Sequence, residues 1–165
     1  MGAAKTKAMI MKNSFFTCSI FVIVNLSKIN TMTSKVIYKE NLRTEMIHLK
    51  SGSIIETDAP TDNNGKGERF SPTDLVATAL ASCMLTLMGI KARDMQLKLD
   101  GTEASVTKIM GTEPRRITGI DLIIEFSKSI NADEKQRTIL ERTALTCPVQ
   151  FSIHPDIVCN IQFNW

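Results

Sequence analysis

The chain has 165 residues, of which 43% are hydrophobic and 22% are charged. This length supports one good hydrophobic core and is short for two domains, so we expect a single folded domain. The net charge is +3, but the first 31 residues carry four lysines and no acidic residue, which leaves −1 for the rest. The folded part therefore lacks the basic excess that is typical of nucleic-acid binding.

Residues 1–31 combine a basic start with an apolar run, FFTCSIFVIV, in the outline of a signal peptide. The segment that follows has no small-x-small cleavage site, and ten apolar residues are too few to span a bilayer. Two interpretations stay open: a start codon assigned too early, with Met32 as the natural start, or an export or anchoring signal. We expect residues 1–31 to lie outside the fold, residues 32–165 to form the single domain, and the protein to be cytoplasmic.

Three short strands are predicted before the first helix, because turn signals at Asn41 and at Ser51–Gly52 separate runs with strand character. The loop that leads to the helix is predicted at Asp58–Gly67 (DAPTDNNGKG), which is rich in turn-favouring residues. The predicted strands are Lys35–Tyr38, Glu45–Lys50 and Ser53–Thr57.

A long helix is predicted to begin at Ser71, and the rest of the chain is organised around it. Ser71 is a good N-cap, Pro72 suits the first helical position, and Asp74 resembles the third residue of a capping box. No charged residue occurs between Leu75 and Ile90, a pattern that indicates a helix enclosed by protein or lipid. Such a run spans only about 24 Å, less than the ~30 Å core of a bilayer, so we expect a buried central helix in a soluble domain.

Several shorter elements are predicted after the central helix, which is expected to end near Arg93. Asp100–Gly101 predicts a tight turn, and Asn131 with Glu134 predicts a capping box for the second helix. The predicted elements are strands at Met95–Leu99, Glu103–Met110 and Thr118–Phe126, helices at Asn131–Leu145 and Pro148–Ile153, and a last strand with alternating apolar residues from Ile157 to Trp165.

The order of these elements predicts an α+β fold, in which an antiparallel sheet packs on the long buried central helix. Regular alternation of strands and helices, which parallel βαβ units need, is absent from the sequence. One small sheet cannot cover a helix that is apolar on every side. We therefore expect a second copy of the chain to cover the remaining surface.

Four cysteines, which lie far apart, are the candidates for reactive chemistry. They form no C-x-x-C pair and no His/Cys cluster at the spacing of a zinc site, so neither a disulfide framework nor a metal is expected. Cys83 lies on the central helix, where a free cysteine also serves as a small buried hydrophobe. Cys147 precedes Pro148 at a predicted helix start, where backbone N–H groups are expected to lower the pKa of the thiol. Cys159 is interpreted as structural, and Cys18 lies in the doubtful leader.

Two of these cysteines lie in motifs that together resemble the OsmC/Ohr family of osmotically inducible and organic hydroperoxide resistance proteins. The motifs are SPTDLVATALASC (Ser71–Cys83) and TCPV (Thr146–Val149), and their cysteines are 64 residues apart. The similarity continues through LRTE (Leu42–Glu45) and TDAP (Thr57–Pro60) and covers about residues 34–165. The resemblance implies an intertwined homodimer of α+β subunits whose long helices pack centrally.

The resemblance also implies a thiol peroxidase of the oxidative stress response that reduces organic hydroperoxides and uses no bound cofactor. Cys83 matches the peroxidatic cysteine and Cys147 the resolving one. Arg43 is the candidate for the family's arginine, by its position in the early strand region, and its charge would offset that of a thiolate on Cys83. A dithiol, from a reductant protein or a small thiol, would then reduce the disulfide. No nucleic-acid or membrane partner is expected.

One position departs from the pattern of the hydroperoxide-resistance members, which carry Glu directly after the helix-starting proline. This chain has Thr73 there, and Asp74 is rotated from it by about 100° around the helix, so we interpret Asp74 as a cap. His48 and His154 match no role in the family. The departure keeps two other functions open: a non-catalytic thiol redox sensor or small-ligand-binding dimer, and a purely structural dimer.

Overall fold

The computed structural model describes residues 32–165, and the chain divides after Thr57 into two compact units. The first unit contains β1 (Ser34–Tyr38), β2 (Arg43–His48) and most of β3 (Ile54–Asp58). These strands form one sheet in the order β1-β2-β3, and β1 pairs with β2 in antiparallel orientation. All three strands were predicted, although β2 begins and ends two residues earlier than expected.

The loop after β3 is held by the buried carboxylate of Asp58. Its Oδ2 accepts a hydrogen bond from the backbone N–H of Glu68 at 3.1 Å. At Gly65 a Cβ would lie 1.7 Å from the carbonyl oxygen of Ala59, so only glycine fits this turn. The predicted loop is confirmed, with a short 3-10 turn at Thr61–Asn63 inside it.

The central helix of the second unit, α1 (Pro72–Asp94), begins at the predicted cap. Ser71 Oγ accepts a hydrogen bond from the N–H of Asp74 at 3.1 Å, and Asp74 Oδ2 accepts one from the N–H of Ser71 at 2.7 Å. One stripe of the helix, with residues three or four positions apart, is buried within the unit. The stripe consists of Ala77, Leu80, Ala81, Met84, Met88 and Ala92.

The strand predicted at Met95–Leu99 is wrong, because these residues terminate the helix. The N–H of Met95 donates to the carbonyl of Ala92 at 3.0 Å, and the N–H of Leu97 donates to the same carbonyl at 2.9 Å. Gln96 between them has a φ of 57°, in the left-handed region that ends many helices. The apolar side chains of this segment pack against the core, which accounts for their strand-like alternation.

The sheet of the second unit contains β4 (Glu103–Thr112), β5 (Arg115–Glu125) and β6 (Val158–Asn164), in that order. The alternation predicted for β5 is confirmed, since Ile120 and Ile124 are fully buried. β4 pairs with β5 in antiparallel orientation, but β6 pairs with β5 in parallel orientation. The predicted antiparallel sheet is therefore wrong for this pair of strands, and the sheet is mixed, because two helices between β5 and β6 carry the chain back to the same end.

Those two helices are α2 (Glu134–Ala144) and α3 (Pro148–Ser152). The capping box of α2 uses Asp133 and Gln136, which exchange hydrogen bonds of 2.8 and 2.9 Å, and the predicted pair of Asn131 and Glu134 is wrong. Both pairs have the three-residue spacing of the motif, so spacing alone did not distinguish them.

The C-terminal residue, Trp165, joins β6 to α2. Its ring stacks on Phe126 with ring centroids 3.5 Å apart, and its Nε1 donates a hydrogen bond to Glu141 Oε1 at 2.8 Å. The guanidinium of Arg137 lies 5.1 Å from the ring centroid, within the range of a cation–π interaction. These contacts hold the C-terminal strand and α2 on the core of the second unit. The two sheets and three helices of residues 32–165 confirm the predicted α+β class.

Candidate active site

Cys83 lies near the middle of α1 beside the buried stripe of that helix, and its side chain is half-buried. The neighbouring Leu80 and Met84 are fully buried, and Leu87 is partly buried against the same core. The thiol is free. An apolar surface thus surrounds a cysteine that remains partly accessible.

Cys147 is the N-cap residue of α3 and is fully buried. Its N–H donates a hydrogen bond to the carbonyl of Ala144 at 3.2 Å, and its carbonyl accepts one from the N–H of Phe151 at 3.3 Å. Pro148 begins the helix, as the sequence predicted. The backbone on both sides therefore fixes the position of this sulfur.

The fold brings Cys83 and Cys147 together where α3 packs on α1, close enough for Cys83 to affect the ionisation of Cys147. Both are free cysteines. Burial raises the pKa of Cys147, and the hydrogen bond and negative charge of Cys83 raise it further. These effects favour the protonated form of Cys147.

The lowered pKa expected for Cys147 is wrong. The backbone N–H groups of Gln150 and Val149 do favour the thiolate of Cys147. However, the side chain of Cys147 forms no capping hydrogen bond. A helix of one turn supplies only a small dipole, and burial together with Cys83 outweighs it. The sequence showed the helix start but not the thiol that packs against it.

Cys159 is half-buried on β6, and its sulfur lies 3.8 Å from the carbonyl oxygen of Ile157 in the same segment. Its interpretation as structural stays a prediction. Cys18 lies outside the described residues.

Arg43 is the first residue of β2 and is half-buried. It belongs to the first unit, whereas both thiols belong to the second. Its role as the counter-charge of Cys83 therefore stays a prediction.

Lys108 on β4 reaches the start of α1 and donates three hydrogen bonds there. The acceptors are Asp74 Oδ1 at 2.6 Å, Thr73 Oγ1 at 2.8 Å and Ser71 Oγ at 3.2 Å. Burial opposes ionisation of Asp74, but the hydrogen bonds from Lys108 and Ser71 outweigh it and hold the pKa of this carboxyl below its ordinary value. Asp74 Oδ2 accepts the bond from the Ser71 N–H that the cap interpretation predicts, and Oδ1 accepts the bond from Lys108.

Lys108 is absent from the predictions, although the sequence carried a signal for it. Alternate residues of β4 are half-buried, and Lys108 lies on the same face as Val106 and Met110. A lysine on the inward face of a strand needs acceptors for its charge. Those acceptors are the hydroxyl and carboxylate groups that begin α1.

Both histidines have local partners: His48 Nδ1 contacts Ser51 Oγ at 2.7 Å, and His154 Nδ1 accepts a hydrogen bond from the N–H of Asp156 at 3.2 Å. Residues 32–165 contain no group of three or more His, Cys, Asp or Glu side chains that could hold a metal ion. Within the same residues α1 is the one helix long and apolar enough to cross a membrane, a property it shares with core helices of soluble proteins.

The family described as OsmC-like protein matches residues 65–162 of the chain. A crystal structure from Psychrobacter arcticus 273-4, whose name refers to osmotic stress induction and detoxification, is 54% identical, with a TM-score of 0.78 over 81% of this chain and 96% of that one. No curated protein matches the chain.

Two more distant structures share the fold. An organic hydroperoxide resistance protein OsmC from Legionella pneumophila has 14% identity and a TM-score of 0.61, over 82% of this chain and 98% of that one. The organic hydroperoxide resistance protein OhrB of Bacillus subtilis has 16% identity and a TM-score of 0.54, over 81% of this chain and 98% of that one.

Proposed function

The chain belongs to the OsmC-like protein family, and on this premise we propose that it is a thiol-dependent peroxidase that reduces organic hydroperoxides with Cys83 and Cys147. The observation that carries the proposal is the contact between two free thiols, one on α1 and one at the start of α3. Relatives with the same fold are named organic hydroperoxide resistance proteins.

In the first step, the thiolate of Cys83 attacks the O–O bond of the hydroperoxide. An S–O bond forms and the O–O bond breaks, which gives a sulfenic acid on Cys83 and an alkoxide that takes up a proton and leaves as the alcohol. Cys83 is assigned this step because the raised pKa of Cys147 keeps the second thiol protonated at neutral pH. The guanidinium of Arg43 would stabilise the thiolate before the attack.

In the second step, the Cys147 thiol attacks the oxidised sulfur. The S–S bond forms, the S–O bond breaks, and the thiol proton and the hydroxyl leave together as water. An external dithiol then reduces the disulfide through a mixed-disulfide intermediate and is itself oxidised. The apolar side chains around Cys83 favour an organic hydroperoxide over hydrogen peroxide as the oxidant.

A turnover assay tests the proposal. With dithiothreitol in excess, the protein should consume many equivalents of cumene hydroperoxide per chain, and should consume hydrogen peroxide more slowly. Arg43→Ala should slow the first step, while Arg43→Lys, which keeps a positive charge, should retain part of the rate. Consumption that stops at one equivalent per chain would exclude a peroxidase.

The second candidate function, a thiol redox sensor, is favoured by the start of α1. Thr73 stands where the hydroperoxide-resistance members carry Glu, and its hydroxyl accepts a hydrogen bond from Lys108. A sensor would form the Cys83–Cys147 disulfide with one equivalent of hydroperoxide but would not turn over with dithiol. The same assay therefore separates the two functions.

A further inference from the structure

Gln150 on α3 carries a buried acceptor, its side-chain Oε1, that has no hydrogen-bond partner among residues 32–165. Two other buried polar atoms share this property, on Thr102 and Arg116, but neither lies on α3. A buried acceptor without a partner is destabilising, so it calls for a functional explanation.

Gln150 lies three residues after Cys147, and its backbone N–H favours the anion of the Cys147 sulfur. The side chains of the N-cap residue and of the third helical residue lie on the same side of a helix, which is the basis of the capping box. Here the amide cannot close such a box, because the N–H of Cys147 already donates to the carbonyl of Ala144. The Gln150 side chain therefore starts on the same side of the helix as the Cys147 thiol, and its amide oxygen is unpaired among residues 32–165.

The chemistry of the second step needs an acceptor at this place. In the reduced protein the Cys147 thiol lies beside Cys83. Once Cys83 is a sulfenic acid, the Cys147 sulfur must turn a lone pair towards Cys83 to attack it. Its proton then has to point elsewhere.

We propose that Gln150 is a positioning residue for disulfide formation, because its amide oxygen accepts the hydrogen bond of the Cys147 S–H group and leaves a sulfur lone pair facing Cys83. The thiol proton then leaves with the hydroxyl of the sulfenic acid as water, so Gln150 is neither protonated nor consumed. This role rests on the proposed peroxidase function.

The test is Gln150→Met, which keeps the length of the side chain and removes the acceptor. After one equivalent of cumene hydroperoxide, formation of the Cys83–Cys147 disulfide should slow about tenfold, the factor that corresponds to one ordinary hydrogen bond. More sulfinic acid should accumulate on Cys83, as measured by mass spectrometry. Oxidation of Cys83 itself, followed in the Cys147→Ser background by dimedone labelling, should not change.

The melting temperature distinguishes this role from a structural one. Removal of an unpaired buried acceptor should leave the melting temperature of Gln150→Met unchanged or raised. Ser152→Ala is the matched control, because it removes a hydroxyl of the same helix that is bonded to the carbonyl of Pro148 at 2.8 Å. Its disulfide formation should match the wild type. Gln150→Ala is a second variant without the acceptor and should slow the same step.

Three outcomes would overturn the role. Disulfide formation at the wild-type rate in both Gln150 variants would exclude the positioning role of Gln150 and leave the proposed function intact. A lower melting temperature with both steps slowed would make Gln150 structural. A wild-type protein that never forms the Cys83–Cys147 disulfide would overturn this role and the proposed function together.

Discussion

At the scale of single residues, two chemically identical thiols differ in their surroundings. Cys83 is half-buried on a long helix, whereas Cys147 is fully buried and its pKa is raised by burial and by Cys83. A thiol that keeps its proton is a poor first nucleophile, since the thiolate is the reactive form. The environment of Cys147 therefore agrees with the proposed order, in which Cys83 reacts first.

Cysteine substitutions should separate the two roles. Cys83→Ser should abolish the reaction with hydroperoxide, because a serine hydroxyl is a far weaker nucleophile at neutral pH. Cys147→Ser should react once and then stop as a sulfenic acid, or over-oxidise, at Cys83. Cys159→Ser is the control and should react like the wild type. Peptide mass mapping checks all three, and a first sulfenic acid on Cys147, or a bridge to Cys159, would contradict the assignment.

The charge network at the start of α1 predicts a pH-dependent stability. The pKa of Asp74 is lowered in the folded state, so its ionised carboxylate stabilises the fold. This contribution to the free energy of unfolding is fully present above the unfolded-state pKa of about 3.9, and it is lost as the pH falls through the folded-state pKa. Lys108→Met should cost about 1 kcal/mol at pH 7, near the lower end for a charge-assisted bond because Asp74 is partly exposed. The cost should shrink at an acidic pH at which Asp74 is protonated in the folded state.

Urea unfolding at both pH values measures this difference. Lys39→Met is the matched control, because the exposed side chain of Lys39 forms a longer single ion pair, with Glu45 at 3.4 Å. It should cost about 0.5 kcal/mol or less at pH 7. Equal costs for the two lysine substitutions would mean that the network at Ser71, Thr73 and Asp74 contributes nothing beyond a surface ion pair.

The sequence alone predicted part of the local geometry at this scale. The cap role of Asp74 follows from local spacing, and the proximity of Cys83 and Cys147 agrees with the family resemblance, whereas their catalytic roles stay a prediction. The direction of the Cys147 pKa was missed because it depends on which side chain packs against the sulfur. The partners of Lys108 were missed for the same reason, since they are 34 to 37 residues away in the chain.

At the scale of elements, boundaries set by local chemistry were predicted and those set by packing were not. The start of α1 follows from Ser71, Pro72 and Asp74. Its end was placed correctly, but the alternating apolar residues of Met95–Leu99 were mistaken for a strand. They alternate because they cover the core from the turn that terminates the helix. Periodicity records which residues face the core and does not by itself distinguish a strand from such a turn.

That turn provides a stability prediction. Gln96 has a φ of 57°, a conformation that costs a residue with a side chain about 1–2 kcal/mol and costs glycine little. Gln96→Gly should therefore raise the free energy of unfolding by about 0.5–1 kcal/mol, after the greater chain entropy of glycine in the unfolded state is counted. Gln162→Gly on β6 is the control and should lower it by about 0.5–1 kcal/mol. Thermal unfolding of both variants tests the opposite signs, and a Gln96→Gly variant less stable than the wild type would contradict the argument.

At the scale of the whole molecule, the sequence predicted the class of the fold but not the parallel pairing of β6. The alternation from Ile157 to Trp165 identifies a strand with one face towards the core. It carries no information on direction, which is decided by how α2 and α3 return the chain to the sheet.

The last prediction concerns the face of α1 that its own unit leaves uncovered. Val76 and Ile90 on this helix are 42% and 47% exposed, and a groove of about 440 Å³ runs between α1 and β4, lined by Thr78, Ala81, Ser82, Leu85, Thr86, Ala104 and Val106. A helix without charge from Leu75 to Ile90 is costly to leave in water, so we expect a homodimer that buries this face.

Light scattering should give twice the 18.3 kDa mass of one chain. Ile90→Glu should shift the protein towards the monomer, because it places a charge within the buried interface. Ile109→Glu is the matched control: Ile109 is 43% exposed but lies on the outward face of β4, opposite to Val106 and Met110, so this variant should stay dimeric. A wild-type monomer that is stable at micromolar concentration would contradict the dimer, and dissociation by Ile109→Glu instead of Ile90→Glu would place the interface on the outer face of the sheet.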